Sequence, residues 1–212
     1  LLAQGFMLIG VPGVKASENK IYNQVYAFGS AALELGLDST SGLVPFEVTA
    51  LSNIAKISAH TDHTLALTED GQVYAFGSGD YNQLGLGEGV GSHIPVIVPG
   101  FQNVKDIAAG NTFSLILLEN GEVYGFGRNL SGVLGQEEEI NYPSVKVQGL
   151  PKIKSISAGY THALFLSESG EVYALGSNSH GQLGLGEAQL GAKLTAPVKI
   201  PGLSQVKEVH AS

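Results

Sequence analysis

One short motif, a Val-Tyr strand that ends in glycine, occurs four times in this sequence at nearly constant spacing. The copies read VYAFGS at residues 25–30, VYAFGS at 73–78, VYGFGR at 123–128 and VYALGS at 172–177. Their first valines are 48, 50 and 49 residues apart. A constant period of this length is typical of repeat architectures. Residues that recur at the same phase are expected to build a scaffold, so function is sought where the copies differ.

Each unit contains three further segments with strand character. An apolar strand begins at Ile54, Val104, Ile153 and Val206, and a second covers residues 63–67, 113–117 and 162–166. A Gly-containing turn at 69–71, 119–121 and 168–170 then leads into the Val-Tyr strand, as in a hairpin. The unit closes with a Pro-led apolar strand at 45–48, 95–98, 143–147 and 197–200, since proline suits the first residue of a strand.

A Gly-rich loop separates the Val-Tyr strand from the Pro-led strand. It covers residues 82–87, 132–135 and 181–186, with a shorter first copy at 34–37. Four short strands per unit of about 50 residues is the pattern of one β-propeller blade. No stretch shows a sustained helical period, so the sequence predicts an all-β propeller of four-stranded blades, about four of them present. The units are approximately 1–50, 51–100, 101–150 and 151–205, with the start of a fifth at 206–212.

The pattern resembles the regulator of chromosome condensation repeat family over residues 21–212. The fourth unit shows it most fully, with ISAGYTHALFL at 156–166, GEVYALG at 170–176 and GQLGLG at 181–186. The resemblance implies a seven-bladed ring, which needs roughly 350 residues at this period, whereas 212 are present. Two interpretations follow. We favour a piece of a larger propeller; the other is a small closed ring in which residues 206–212 supply the strand that the first unit lacks.

Composition excludes several kinds of site. The sequence has no Cys, so disulfides and thiolate metal sites are excluded. A net charge of −8 with only 11 scattered basic residues argues against nucleic-acid binding through these blades. The apolar segment 1–14 is too short for a membrane span and is interrupted by Gly10, Pro12 and Gly13. We expect no membrane association and an intracellular location, cytoplasmic or nuclear.

The histidines and glycines are better explained by the repeat than by chemistry. His63 and His162 occupy the position that Phe113 fills in the second complete unit, so we expect packing with a local hydrogen bond. No Cys or carboxylate stands at ligand spacing, and no metal is expected. Residues 84–89 lack the Lys-Ser/Thr and helix of a phosphate loop. We therefore expect no cofactor, no catalytic residue and no enzyme activity.

Partner binding is the function that the variable loops predict. Loops on a rigid scaffold commonly carry recognition, and Tyr and Arg are enriched at hot spots. The candidate partner-binding residues are Asp80, Tyr81, Asn82, Arg128, Asn129, Asn178 and His180. The run Glu137-Glu138-Glu139 is interpreted as a solvated loop.

Two functions are kept. The first is a protein-interaction scaffold that presents its loops to a protein partner. The alternative, implied by the resemblance, is guanine-nucleotide exchange on a small GTPase of the Ran type, in which a wedge-like insertion remodels the nucleotide site. The only segment whose position would suit such a wedge is an irregular hairpin insertion, which we expect at residues 12–23. Ultraviolet sensing, known in plant relatives, needs Trp clusters, and the sequence has no Trp; Phe or Leu replaces the motif's usual Trp.

Overall fold

The computed structural model describes residues 4–12, 21–29 and 44–211, which form β-strands joined by turns and loops. The first seven strands are β1 (Gln4–Pro12), β2 (Ile21–Gly29), β3 (Phe46–Glu47), β4 (Ile54–His60), β5 (His63–Thr68), β6 (Val73–Gly77) and β7 (Ser92–Ile97). The remaining strands are β8 (Val104–Ala109), β9 (Phe113–Leu118), β10 (Val123–Arg128), β11 (Asn141–Lys146), β12 (Ile153–Ala158), β13 (His162–Ser167), β14 (Val172–Ser177) and β15 (Lys193–Lys199). Single 3-10 turns lie at Leu130–Gly132 and Glu187–Gln189.

The strands form four separate antiparallel sheets, which confirms the predicted propeller blades. Blade 1 is β1-β2-β3, blade 2 is β4-β5-β6-β7, blade 3 is β8-β9-β10-β11 and blade 4 is β12-β13-β14-β15. In blades 2 to 4 the chain runs from the first strand to the last without a crossover, as a meander. No helix among the described segments is long and apolar enough to cross a membrane.

The Pro-led strands begin earlier than the sequence predicted. The outer strands β7, β11 and β15 start three or more residues before the prolines in blades 2 and 4, and two before the proline in blade 3. In blades 2 to 4 the pairing register with the Val-Tyr strand shifts next to the proline, for example between Ala75 and Gly77. Proline is tolerated at such irregularities of an edge strand because no regular ladder bond needs its missing N–H.

The first unit also differs from its prediction. Gln4–Pro12 pairs with Ile21–Gly29 in one continuous antiparallel register, with Pro12 opposite Ile21. Both ends of the expected insertion at 12–23, Pro12 and residues 21–23, are therefore regular strand and not part of an irregular segment. Residues 13–20, which would connect the two strands, and the first Gly-rich loop at 34–37 lie outside the described residues.

The hydrophobic core lies between consecutive blades. One cluster joins Phe113 and Leu117 of blade 3 to Ile153 and Phe165 of blade 4, and equivalent clusters join blades 1 with 2 and 2 with 3. The aromatic or Leu position of the repeated motif, Phe76, Phe126 and Leu175, is fully buried in these clusters. Blades 2 and 3 are therefore covered on both faces, which explains why their strands are apolar on both sides.

Backbone hydrogen bonds repeat at each blade junction. The N–H of Val104 donates to Gly71, that of Ile153 to Gly121 and that of Val206 to Gly170, at 3.1 to 3.3 Å. Each of these glycines has a positive φ near 80°. A Cβ added to any of them would lie 3.0 to 3.1 Å from the backbone, or from a Cβ, at the start of the next blade, so a side chain would be strained there.

Residues 206–211 follow blade 4 as each inner strand follows the blade before it. The N–H of Ala211 donates to the Ser157 hydroxyl, just as that of Ala109 donates to Ser58. Within the described part of the chain, however, 206–211 pairs with no second strand and has no strand assignment.

The antiparallel meander places two kinds of connection at opposite ends of each blade. We call one end the long-loop face; it carries loops 78–91, 129–140 and 178–192. The other end, the turn face, carries the hairpin turns 69–71, 119–121 and 168–170.

Candidate functional site

The long loops are anchored on the frame by one buried leucine each. Leu84, Leu134 and Leu183 recur at the same repeat position and are at most 1% exposed. Each packs into a cluster with strand residues, Leu134 for instance beside Phe165 and Leu175. The Gly-rich loops are therefore fixed parts of the blade, and the side chains that they expose have defined positions.

Three of the predicted partner-binding residues hold these loops from within. Asn129 accepts a hydrogen bond from the N–H of Leu134 at 2.7 Å and donates to the carbonyls of Gln136 and Glu138, both at 2.8 Å. Asn178 likewise accepts from Leu183 at 3.0 Å and donates to Gln189 at 2.7 Å. Both side chains are buried. The structure thus gives these two asparagines a loop-closing role and no surface for a partner.

Asn82 performs the same task from a different position. Blade 2 has Gly79 where the other blades have the asparagine, and Asn82 stands three residues later with a φ of 65°. Its amide accepts from the N–H of Gly87 at 3.0 Å and donates to the carbonyl of Tyr142 in blade 3 at 2.9 Å. It is also buried, so its assignment as a partner-binding residue is likewise corrected.

Tyr81 and Arg128, the two predicted anchors, meet across the junction of blades 2 and 3. The guanidinium carbon of Arg128 lies 5.1 Å from the centroid of the Tyr81 ring, a cation–π distance. Both residues are partly exposed. Arg128 is the only arginine of the sequence, and blades 2 and 4 have Ser78 and Ser177 at its repeat position. The pair is thus unique to this junction and is not part of the repeated frame.

Asp80 and His180 are exposed, as their prediction requires. His180 occupies the repeat position of Tyr81, and the two loops bend alike: Tyr81 donates its N–H to the Gln83 side chain at 2.9 Å and His180 to that of Gln182 at 2.8 Å. The His180 ring lies 2.9 Å from the hydroxyl of Ser179. Asp80 directly precedes Tyr81 in the loop of blade 2, whereas His180 lies in the loop of blade 4.

The run Glu137-Glu138-Glu139 makes contacts that its interpretation as a solvated loop did not include. Glu137 accepts a hydrogen bond from the Thr195 hydroxyl at 2.8 Å, and Glu139 pairs with Lys193 at 2.6 Å. Lys193, followed by the Ser131 N–H, lowers the pKa of Glu139. The outer two carboxylates thus join blade 3 to blade 4. Glu138 takes part in no ion pair within the described ranges.

An Asp-His-Ser array lies beneath the long-loop face, with its histidine and serine buried and its aspartate half exposed. His63 Nε2 is 2.9 Å from the Ser114 hydroxyl, and His63 Nδ1 is 4.0 Å from a carboxylate oxygen of Asp62. Because Ser114 donates its own proton to the carbonyl of Gln83 at 2.8 Å, it accepts from His63. Ser114 is 0% exposed. The array therefore connects blades 2 and 3 and gives no substrate access to the serine.

The environment of His63 keeps the ring neutral. Burial, followed by the nearby charge of His60, lowers the pKa of His63 to about 3. Burial also raises the pKa of Asp62. His63 is fully buried at a position where blade 3 has Phe113, which agrees with the predicted packing role, but its hydrogen bond reaches Ser114 of the next blade and is not the local one expected.

The inner strands line a central cavity of about 380 Å³. Its charged groups come from the same repeat position in successive inner strands, where Lys56 forms an ion pair with Asp106. The other Asp106 oxygen accepts the N–H of Ile156 at 3.1 Å. These charges are used in joining blades. Across residues 4–12, 21–29 and 44–211, no group of three His, Asp or Glu residues could hold a metal ion.

Comparison with protein families agrees with this geometry. A model described as regulator of chromosome condensation (RCC1) repeat matches residues 70–117, 120–166 and 169–212. A second model of the same description matches residues 54–83, 104–133 and 153–182. The chain belongs to the RCC1 repeat family.

Relatives of this RCC1 repeat chain match over about one and a half repeats. The human E3 ubiquitin-protein ligase HERC2 is 42% identical over 72 residues, which cover 31% of this chain and 2% of that protein. The Arabidopsis thaliana ultraviolet-B receptor UVR8 is 40% identical over 65 residues, which cover 29% of this chain and 15% of the receptor. The match therefore spans a small part of the length of each relative.

Two solved structures share the fold over most of the chain. Prp20p from Saccharomyces cerevisiae has a TM-score of 0.75 at 24% identity, covering 85% of this chain and 47% of that one. Human WBSCR16 has a TM-score of 0.78 at 21% identity, covering 99% of this chain and 57% of that one. The RCC1 repeat chain thus spans about half the length of these propellers.

The sequence left one part of the surface unassigned. Each long loop exposes one aliphatic side chain shortly before or at its end: Val90 is 46% exposed, Ile140 51% and Leu190 59%. A comparison of the loop copies could have indicated these residues, because each of them interrupts a segment that is otherwise polar or rich in glycine.

Proposed function

We propose that this chain is a protein-interaction scaffold that binds a protein partner through its long-loop face. The observation that supports it best is the Tyr81–Arg128 pair. Two side chains of the types enriched at binding hot spots are stacked in a fixed arrangement, partly exposed, on loops anchored by buried leucines. Stacking reduces the rotamer freedom that the arginine would lose on binding.

We propose binding and no enzyme activity. The Asp62–His63–Ser114 array has the residue types of a nucleophilic site, yet its serine is buried and its proton is donated to Gln83. A neutral His63 held at a blade junction serves packing. Absence of Cys is compatible with the intracellular location that we propose.

Guanine-nucleotide exchange on a small GTPase is the alternative function. The structure of Prp20p was reported together with its binding properties to Gsp1p and histones, and a second structure shows Prp20 with Kap60. At 21 to 24% identity these likenesses establish the fold alone. Of the 12–23 segment, the only candidate wedge by position, Pro12 and residues 21–23 are regular strand and residues 13–20 lie outside the described ranges.

The test is capture of partners from cell extract by the full chain, compared with its Tyr81→Ser/Arg128→Ser variant. Serine already occupies both repeat positions elsewhere, at Ser131 and at Ser78 and Ser177, so the frame is expected to tolerate the change. We expect the affinity for the captured partner to fall at least about tenfold, a hot-spot effect of more than about 1.4 kcal/mol.

Lys152→Ser is the matched control, since it removes an exposed positive charge from the turn face. It should leave capture unchanged. Nucleotide release from a panel of small GTPases is measured in parallel. Accelerated release would favour the exchange alternative, whereas capture that is insensitive to Tyr81 and Arg128 would contradict the proposed anchor.

A further inference from the structure

We infer that the partner of the long-loop face is a basic protein segment with apolar side chains among its Lys and Arg residues. The inference rests on the proposed scaffold function and adds the chemistry of the partner. It is drawn from the aliphatic side chains and the charges that the three long loops expose.

The aliphatic side chains form a repeated set. Each long loop contains one of them, and each is about half exposed: Val90, Ile140 and Leu190. Their backbone is fixed: the N–H of Val90 donates to Gly87 at 3.3 Å, that of Leu190 to Glu187 at 3.1 Å, and the carbonyl of Ile140 accepts from Asn129 at 2.9 Å. Aliphatic groups held in place on a face gain free energy when a partner removes them from water.

Every Asp, Glu, Lys or Arg position in the three long loops is acidic. Residues 78–91, 129–140 and 178–192 contain Asp80, Glu88, Glu137, Glu138, Glu139 and Glu187 and no Lys or Arg. Arg128 and Lys193 stand just outside the loops, and Lys193 is already paired with Glu139. The long-loop face therefore carries excess negative charge.

The turn face, by contrast, has half of its carboxylates matched by lysines. Glu122 pairs with Lys146, Glu171 with Lys199 at 2.5 Å, and Glu168 with Lys105 at 3.2 Å. Among the described residues Glu69, Asp70 and Glu119 form no ion pair, so the turn face is also acidic, but it has more lysines beside its carboxylates than the long-loop face, where Lys193 alone forms an ion pair.

Three carboxylates of the long-loop face are free to attract a partner. Asp80, Glu138 and Glu187 are exposed and form no ion pair with any residue that the structure describes. Complementary charge accelerates association and selects among partners. Nucleic acid and a second copy of this acidic chain would both be repelled, so a basic protein segment is the occupant that fits the acidic charge and the aliphatic side chains together.

The test uses the full chain and fluorescence anisotropy with three labelled 18-residue peptides. The first contains Lys and Leu at helical spacing, the second has Glu in place of Lys, and the third has Ser in place of Leu. We expect the Lys-Leu peptide to bind and the other two to bind at least tenfold more weakly. We also expect at least tenfold loss with Asp80→Asn/Glu138→Gln/Glu187→Gln and with Val90→Ser/Ile140→Ser/Leu190→Ser.

Glu69→Gln/Asp70→Asn/Glu119→Gln is the control for general charge. It removes the same charge from the turn face, and Asp70→Asn introduces the residue that blade 3 has as Asn120. Circular dichroism melting verifies that each variant folds. Equal weakening by the control, or equal binding of the acidic peptide, would overturn the inference.

The two proposals fail in different ways. Capture of a cellular partner that depends on Tyr81 and Arg128 but not on the three carboxylates or the three aliphatic residues would refute the basic, apolar chemistry and retain the scaffold. Binding of the Lys-Leu peptide without any dependence of capture on Tyr81 and Arg128 would retain the chemistry and refute the anchor pair.

Discussion

The two ends of the blades are built by the same repeat and yet differ in kind. At the turn face, Gly71, Gly121 and Gly170 make the same close contact with the next blade, with positive φ each time. At the long-loop face the outward side chains change from copy to copy, as at Tyr81 and His180. The turn face joins blades, whereas the long-loop face presents different side chains on an equivalent frame.

The comparison also holds within the long-loop face. Buried asparagines close its loops by hydrogen bonds to backbone, whereas the exposed His180 ring hydrogen-bonds to the hydroxyl of its neighbour Ser179. Position in a variable loop is therefore insufficient to identify a binding residue. Burial separates the residues that hold a loop from those that it displays.

The largest effect is expected where the frame supports the long-loop face. In Gly77→Ala the new Cβ would lie 2.3 Å from the carbonyl oxygen of Asp62, at a φ of 107°. We expect a loss of about 3 kcal/mol in the free energy of unfolding, because backbone strain adds to a contact with rigid backbone. Urea denaturation followed by circular dichroism measures it.

Gly100→Ala is the control for this variant. Gly100 also has a positive φ, 86°, but open space surrounds its Cβ direction. Only the conformational cost of about 1 kcal/mol is expected. Equal losses in the two variants would show that close packing at Gly77 contributes nothing to the frame.

A smaller effect distinguishes the buried residues that hold a loop from the exposed residues that the loop displays. Asn129→Ala removes one accepted and two donated hydrogen bonds and leaves buried backbone groups unpaired. We expect a loss of about 2 kcal/mol in the free energy of unfolding. His180→Ala, at an exposed loop position, should change stability by less than about 0.5 kcal/mol. A destabilisation by His180→Ala as large as that by Asn129→Ala would contradict the distinction.

The smallest expected effect is a pH dependence carried by His63. Its pKa in the folded protein is about 3, below the value of 6.5 for a free histidine. The unfolded chain therefore binds more protons between pH 3 and 6.5. The stabilisation from a neutral His63 is complete above pH 6.5 and decreases as the pH falls toward 3. The groups that face the ring are Asp62, His60 and Ser114.

His63→Phe introduces the residue that blade 3 carries at this position. Between pH 6 and 4, its free energy of unfolding should fall less steeply than that of the wild type. The two slopes should differ by about 1 kcal/mol for each pH unit. Denaturation curves at several pH values give the two slopes. Identical slopes for wild type and His63→Phe would mean that His63 is protonated in the folded chain.

Much of the frame was predictable because it repeats. The offsets of strands and turns, the burial of Phe76 and Phe126 and the packing role of His63 all followed from comparing copies. The starts of the outer strands were predicted too late, since a local proline rule took no account of the register shift beside each proline. For the candidate site, the sequence proposed Tyr81 and Arg128 as separate anchors, and their contact could not be read from positions 47 residues apart.

The sequence by itself determined the blades, because turn glycines and apolar alternation act over a few residues and leave the same trace in every copy. Only the tertiary structure decided which loop side chains face inward and which outward. Asn82, Asn129 and Asn178 are polar residues of variable loops in the sequence, yet folding closes each loop around its asparagine amide. Contacts between blades, such as Tyr81 with Arg128, depend on how one sheet packs on the next. That packing is set by side chains from two units at once, so no single repeat contains it.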